Sequence, residues 1–194
     1  MFNQNCNNTT NTKKGVTMAK LIFTLIFAAL LSSANAQNLQ FVDGEIKAHT
    51  EVFGDKNINP FSKDISSHLS MNKSIDSLKG TISLSTFSFH SDNEKRDLHM
   101  YETLHSKAFP QISFRLNSIE KLDNSFLIKG FLTLNGLEKE VSSIAQIKDE
   151  NNHLVLDGNF SINLTAFNLE PPTMLFLTVR DQIDISYHLD YIKG

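Results

Sequence analysis

The chain is poor in cysteine, with a single one at position 6. Residues 37–194 contain none, so no disulfide bond can form within that segment. A segment without disulfides has to be held together by its hydrophobic core, and a chain of this length is long enough to bury one. We therefore expect a single domain over residues 37–194.

The chain also lacks an excess of basic residues. Three of its 18 lysines and arginines lie before residue 37, whereas all 21 acidic residues lie after it, so residues 37–194 carry a net charge of −6. No cluster of basic residues stands out within that segment. Nucleic acid is therefore not expected as a partner.

Sequence motifs of catalysis and of metal binding are missing as well. There is no G-x-S-x-G nucleophile motif and no glycine-rich phosphate loop. The seven histidines are scattered along the chain, and no pair has the spacing of a compact metal site. We expect no enzymatic activity, no catalytic residue, no metal ligand and no cofactor.

One long apolar run is present, and it lies near the N-terminus. A short basic start precedes the uncharged residues 21–31, and the small-x-small pattern "ANA" ends at Ala36. We expect residues 18–36 to be a signal peptide that is cleaved after Ala36. Residues 1–17 would then be an upstream artefact of the assigned gene start, or an extended n-region. The mature chain, residues 37–194, is expected to be periplasmic or secreted and to have no integral membrane span.

Strand-like segments alternate with turn signals from residue 41 onward. We predict strands over 41–53, 61–71, 79–89, 111–120, 125–134, 138–148, 153–165 and 174–191, the last as two strands meeting near Arg180-Asp181. Hairpin turns are indicated at Asp123-Asn124, Asn135-Gly136 and Asn151-Asn152. Eight or so antiparallel strands predict a β-sandwich or a closed barrel.

Four of these segments carry a glycine in the middle of an apolar face. They are "VDGEIKA", "LKGTISL", "IKGFLTL" and "LDGNFSI". A glycine there can relieve crowding where a strand coils sharply, or it can leave room for a guest molecule, and the two readings are compatible. The repeated pattern favours a closed barrel, which with eight strands can hold one small ligand. The residues that we expect to line such an apolar cavity are Gly80, Ile82, Leu84, Ile128, Gly130, Leu132, Leu134, Phe160 and Ile162.

Residues 91–105, "SDNEKRDLHMYETLH", interrupt the alternation and predict one short helix. Ser91 and Glu94 have the spacing of a capping box. A helical wheel places Leu98, Met100, Tyr101 and Leu104 in one arc with Asp97 inside it, and Arg96, His99 and Thr103 on the opposite side. A carboxylate among apolar side chains has to be hydrogen-bonded, so we expect Asp97 to be a structural anchor that fixes the helix at the barrel mouth.

Three motifs in a fixed order carry a family resemblance between residues 78 and 145. They are Asn93, Arg96, Asp97 and His99, then Phe109-Pro110 with Ile112 and Phe114, and then Leu132-Thr133-Leu134-Asn135-Gly136. In this order they resemble the YceI-like family of exported polyisoprenoid-binding proteins. The resemblance implies an all-β fold, an extended eight-stranded antiparallel lipocalin-like barrel with one short helix beside it. Residues 49–75 depart from the usual first strands of that family.

The resemblance also implies a ligand, a long apolar chain such as an isoprenoid quinone precursor or a fatty-acid derivative. We therefore expect an exported lipid-binding protein that acts as a carrier or store. Its ligand's head group would lie at the barrel mouth, close to Asn93, Arg96 and His99. The alternative is an exported structural or interaction barrel filled by its own side chains, and the least favoured reading is an enzyme that acts on a bound lipid. The oligomeric state is open, a homodimer included.

Overall fold

The computed structural model describes residues 36–52, 55–174 and 177–194, apart from the side chains of Lys56 and Met174. Ala36–Gly194 form one compact unit. The predicted signal peptide and the stretch before it lie outside the described residues, except for Ala36.

The domain consists mainly of β-strands. In chain order these are β1 (Gln37–Val52), β2 (Asp55–Ile58), β3 (Phe61–Ser62), β4 (Ile65–Met71), β5 (Lys79–Ser85), β6 (Gln111–Lys121), β7 (Phe126–Leu134), β8 (Leu137–Glu150), β9 (His153–Asn163), β10 (Thr173–Met174), β11 (Leu177–Thr178) and β12 (Gln182–Lys193). Neighbours in the order β1–β4–β5–β6–β7–β8–β9–β12 pair antiparallel, and β12 pairs back with β1. The result is a closed eight-stranded antiparallel barrel, as predicted. The short strands β2 and β3 also pair with β1, and β10 pairs with β11.

The alternation of side chains explains why these segments fold into a barrel. In β7 the even-numbered residues from Ile128 to Leu134 are buried, and the odd-numbered residues between them are partly exposed. The same period of two recurs in β9 and directs one face of each strand to the interior. The larger cluster of buried side chains lies where β1 begins and β12 ends, around Leu69, Leu154 and Tyr191. We call this the closed end of the barrel.

The hairpins that join neighbouring long strands have the predicted turn chemistry. Asn135 and Gly136 have φ values of 52° and 71°, and Asn151 and Asn152 have values of 49° and 68°. Two successive residues with positive φ are what a type I′ turn requires. The hairpins between β7 and β8 and between β8 and β9 are therefore confirmed.

The strand glycines lie under close neighbours. A Cβ atom on Gly130 would overlap the ring of Phe114 and come within 2.6 Å of the Arg115 carbonyl oxygen. A Cβ atom on Gly158 would overlap the phenol of Tyr187. Gly80 has φ +135° and its missing side chain faces the backbone of the preceding strand. These contacts support the reading in which glycine relieves crowding inside a coiled barrel.

Turns interrupt one predicted strand and shorten another, whereas the last segment forms two strands as predicted. The segment 61–71 is divided into β3 and β4. The segment 174–191 contains β11 and β12, which are separated at residues 179–181, close to the expected junction at Arg180-Asp181. The segment 79–89 ends at Ser85, whose hydroxyl oxygen accepts a hydrogen bond from the Phe87 amide and starts a 3₁₀ turn. Two further 3₁₀ turns are Ile75–Ser77 before β5 and Leu164–Phe167 after β9.

One helix, α1 (Glu94–Thr103), lies between β5 and β6. Its cap is Asn93, whose side-chain oxygen accepts a hydrogen bond from the Arg96 amide at 3.1 Å. The predicted capping box at Ser91 is therefore wrong, because the helix begins two residues later than that motif requires. No helix within the described ranges is long and apolar enough to cross a membrane.

The helical wheel predicted the buried face of α1 only in part, because the expected arc is buried or partly buried except at one position. Leu98 is 61% exposed, although the wheel placed it in the buried arc. Arg96 and His99, expected on the outer side, line the barrel mouth together with Met100. Tyr101 meets the ring of Phe87 at a centroid distance of 5.3 Å. The helix thus has two apolar neighbours, the barrel interior and the 3₁₀ turn after β5, and a single arc cannot describe both.

Candidate functional site

The barrel holds an internal cavity of about 970 Å³. Its exposed lining residues, which include Lys95, His99 and Leu177, belong to α1, to the residue that caps it, or to the segment between β9 and β12. The cavity therefore opens where α1 lies, which we call the mouth, and it ends against the packed side chains of the closed end.

Seven of the nine residues predicted for the apolar cavity line it. They are Ile82, Leu84, Ile128, Leu132, Leu134, Phe160 and Ile162. Gly80 and Gly130 do not line it, because the backbone of β4 covers the first and the Phe114 ring covers the second. The binding role of all nine stays a prediction.

Sequence reasoning missed a large part of the cavity wall. β12 contributes Ile183, Ile185 and Leu189, and β1 contributes Ile46 and Ala48. The segment "IDISYHL" has the same period-two alternation as the strands that were assigned to the cavity. That alternation was therefore a sufficient signal. Cavity residues were predicted only from strands with a glycine in their apolar face, and β12 was left out because it has none.

Charged lining residues of the described chain lie at the mouth. They are Asp55 from β2, and Lys95, Arg96, Asp97 and His99 from α1. The Arg96 guanidinium donates to an Asp55 carboxylate oxygen at 2.9 Å and lies 3.5 Å from a carboxylate oxygen of Asp92. Asp55 therefore occupies one face of the cation that was expected to meet a ligand's head group.

The other two predicted head-group residues are arranged differently. Asn93 uses its side-chain oxygen to cap α1, so only its amide nitrogen is available to a ligand. His99 is mostly exposed, and its Nδ1 atom lies 3.6 Å from a Glu102 carboxylate oxygen. Of the three predicted residues, Arg96 is the most enclosed and the best placed to meet a group at the mouth.

Asp97 lies in the arrangement that the sequence predicted for a structural anchor. Its side chain is buried, and its carboxylate accepts hydrogen bonds from the Ser91 amide at 3.0 Å and from the Ser91 hydroxyl at 2.7 Å. Beside it, the Tyr101 hydroxyl donates to the Phe89 carbonyl oxygen at 2.6 Å. Burial raises the pKa of Tyr101, and the negative charge of Asp97 raises it further. Together these bonds hold the start of α1 against the segment that leaves β5.

The inner end of the cavity carries two hydroxyl groups. The Tyr187 hydroxyl and the Ser143 hydroxyl are 2.9 Å apart, and Ser143 also donates to the Asn159 carbonyl oxygen at 2.9 Å. Burial raises the pKa of Tyr187, so the phenol stays protonated at neutral pH.

A second tyrosine lies in the packed closed end, beyond the residues that line the cavity. Tyr191 is fully buried, its hydroxyl is 2.8 Å from the Ser67 hydroxyl, and burial raises its pKa to about 12. The described residues contain no group of three histidine, cysteine, aspartate or glutamate side chains that could hold a metal ion. The absence of a resident metal stays a prediction.

Solved structures with the same fold are similar to this chain over most of its length. BcnA of Burkholderia cenocepacia is 18% identical with a TM-score of 0.68, covering 76% of this chain and 95% of BcnA. The YceI protein of Campylobacter jejuni is 20% identical with a TM-score of 0.63, covering 72% of this chain and 87% of that one. A polyisoprenoid-binding domain from Saccharophagus degradans is 7% identical with a TM-score of 0.59, covering 81% of this chain and 98% of that domain. These likenesses show the fold.

The sequence itself shows the family. No curated protein matches the chain by sequence. The family model of the YceI-like domain, however, matches residues 33–191. That match begins before β1 and reaches into β12, so it takes in all eight strands of the barrel together with α1. On this evidence the chain belongs to the YceI-like family.

Proposed function

We propose that this protein binds a long apolar lipid, a polyisoprenoid or a fatty-acid derivative, inside the barrel and acts as its carrier or store. The observation that carries the proposal is the cavity of about 970 Å³, whose wall below the mouth is largely aliphatic and aromatic. Its volume lies at the upper end of the usual range for ligand pockets. Each methylene group that a ligand buries there contributes roughly 0.8 kcal/mol, so a long chain binds without many polar contacts.

Family membership supports the same class of ligand. The domain from Saccharophagus degradans that shares this fold is described as polyisoprenoid-binding. A barrel filled by its own side chains, the alternative function, would have no continuous internal cavity. The open space inside the barrel therefore favours a ligand-binding barrel over a purely structural one.

The proposed carrier works outside the cytoplasm and catalyses no reaction. The basic start, the apolar run and the "ANA" pattern ending at Ala36 support export to the periplasm with cleavage after that residue. The bound lipid is a ligand in this proposal, and no cofactor takes part.

The decisive experiment fills the cavity and measures the bound lipid. Ala48 lines the cavity and lies opposite Ile185, so Ala48→Trp would project an indole ring into the open space. Lys47→Trp is the matched control, because the Lys47 side chain lies on the outer face, where it pairs with Glu45. Organic extraction of each purified protein, followed by mass spectrometry, should recover lipid from the wild type and from Lys47→Trp but much less from Ala48→Trp. Wild-type protein that carries no lipid and takes up none after delipidation would contradict the proposal.

We also propose that an anionic head group, where the ligand has one, binds at Arg96. A charge-assisted hydrogen bond contributes about 1.5–3 kcal/mol, so Arg96→Ala should weaken palmitate binding roughly 10- to 150-fold. It should leave methyl palmitate, which has the same acyl chain and no charge, nearly unaffected. Asp55→Asn should have the opposite effect and strengthen palmitate binding, because it removes the carboxylate that competes for the guanidinium. Equal losses of affinity for palmitate and methyl palmitate in Arg96→Ala would contradict the head-group role and show that α1 is purely structural.

A further inference from the structure

Two hydroxyl groups interrupt the apolar wall at the inner end of the cavity. The wall there is formed by Leu116, Ile128, Leu156 and Leu189. Between these side chains lie Ser143, the innermost lining residue of β8, and Tyr187 from β12. The tyrosine ring crosses Gly158 on the intervening strand β9, and its hydroxyl reaches the Ser143 hydroxyl at 2.9 Å.

The hydrogen-bonding capacity of this pair is not used up by the protein. Ser143 donates its hydrogen to the Asn159 carbonyl oxygen at 2.9 Å, so its oxygen accepts from the Tyr187 hydroxyl. The oxygen of Tyr187 then keeps an acceptor position beside the cavity. Ser143 is the only hydrogen-bonding partner of that hydroxyl among the residues that the structure describes. A ligand group can therefore donate to Tyr187, or accept from it once the hydroxyl rotates.

The charge distribution along the cavity limits what such a ligand group can be. The charged side chains that line the described cavity belong to β2 or α1 at the mouth. An ion at the inner end would have no opposite charge beside it and would be costly to bury. The raised pKa of Tyr187 keeps the phenol neutral, so it can donate or accept a hydrogen bond without changing the charge of the site.

We propose that Tyr187, held by Ser143, is an inner binding site for a neutral hydrogen-bonding group of the lipid, such as a hydroxyl, a carbonyl or a primary amide. This inference rests on the proposed lipid-binding function and adds a second point of recognition to it. A lipid with a neutral polar end binds with that end inward and its hydrocarbon chain directed to the mouth. A lipid with an anionic end binds in the reverse direction, because the cations lie at the mouth.

The test compares 1-hexadecanol with hexadecane, two probes of equal chain length that differ in one hydroxyl group. Both are titrated into delipidated wild-type protein, Tyr187→Phe and Ser143→Ala, by displacement of an apolar fluorescent probe. Tyr187→Phe keeps the ring over Gly158 and removes only the hydroxyl. It should weaken hexadecanol about three- to tenfold and leave hexadecane within about twofold, as expected for one lost hydrogen bond.

Ser143→Ala should change the preference for hexadecanol over hexadecane in the opposite direction. It removes the protein partner of Tyr187, so the ligand hydroxyl becomes the partner, and hexadecanol should gain about threefold or more over hexadecane. Opposite shifts in the two variants cannot come from a purely structural role. Tyr191→Phe is the matched control, because it removes a buried hydroxyl that does not line the cavity and should leave the preference unchanged.

The possible outcomes separate this inference from the proposed function. Equal losses for both probes in Tyr187→Phe, or an unchanged preference in both variants, would overturn the inner site and leave lipid binding intact. Wild-type protein that binds neither hexadecanol nor hexadecane would overturn the proposed function itself.

Discussion

Gly130→Ala tests whether the strand glycines serve the packing of the barrel or the space for a ligand. Gly130 lies on the inward face of β7 and is paired with Leu116 on β6. An added methyl group would overlap the ring of Phe114 and would lie 2.6 Å from the Arg115 carbonyl oxygen. The ring can rotate away, but the carbonyl oxygen belongs to the backbone of the paired strand and can move only if the sheet moves.

The expected cost follows from these two contacts. Overpacking an interior by one methyl group typically costs about 1–3 kcal/mol. Replacing glycine by alanine also restricts the unfolded chain and returns up to about 1 kcal/mol. The free energy of unfolding should therefore fall by about 1–2 kcal/mol, and for a domain of this size the Tm should fall by roughly 2–8 °C.

Chemical denaturation with circular dichroism measures this change, and a double-mutant cycle with Phe114→Leu locates it. The smaller side chain should recover part of the loss, because it vacates the space over Gly130, whereas the carbonyl contact stays. Lys129→Ala, the neighbouring position whose side chain faces outward, controls for altered strand propensity and should change stability by less than about 0.5 kcal/mol. A Gly130→Ala protein with unchanged stability and weakened lipid binding would refute the explanation that this glycine relieves crowding. It would support the explanation that the glycine leaves room for a ligand.

Two further predictions concern buried polar groups. Because burial raises the pKa of Tyr191 to about 12, its stabilising contribution is complete below pH 10 and is lost as pH rises toward 12, an amount of about 2–3 kcal/mol. Tyr191→Phe should abolish that part of the alkaline destabilisation, measured as the difference between the two proteins in urea melts at pH 9 and pH 11.5, and identical pH dependence would contradict the assignment. Asp97→Ala should lower the free energy of unfolding by about 2–3 kcal/mol, because the Ser91 amide and hydroxyl lose the buried carboxylate that accepts their hydrogen bonds. Ser91→Ala keeps the hydrogen bond from the residue 91 amide to Asp97 and should therefore lower the free energy of unfolding by less. An equal decrease in both variants would show that Asp97 stabilises the fold only through the Ser91 hydroxyl.

The barrel was predictable from the sequence because strand periodicity is a local property. Each long strand buries alternate residues, and the turn residues Asn135-Gly136 and Asn151-Asn152 fix two hairpins by their backbone preferences. The same reasoning identified seven cavity residues correctly by position. The prediction missed the part of the cavity wall formed by β12, because only strands with a glycine in their apolar face were considered. The alternation of apolar and polar residues alone would have identified that strand.

The mouth was less predictable because its contacts join distant parts of the chain. Asp55, the partner of Arg96, lies 41 residues before it, in the segment that departs from the family pattern. The orientation of α1 depends on Phe87 and on the open cavity beside it, and neither enters a helical wheel. Long-range contacts of this kind leave no periodic signal in the sequence.

The pairing of β1 with β12 has a consequence for how the chain folds. Leu39 pairs with Lys193 and His49 pairs with Asp184, so the closing ladder joins residues more than a hundred positions apart. Such contacts carry a large loop-closure cost, and the folding of proteins dominated by them is slow. Before the final strand docks, β1 and β9 both present unpaired edges, and the apolar interior is open along its whole length. A sheet in which this ladder has not yet formed is thus the form of the domain most exposed to aggregation, and closing the ladder removes that exposure.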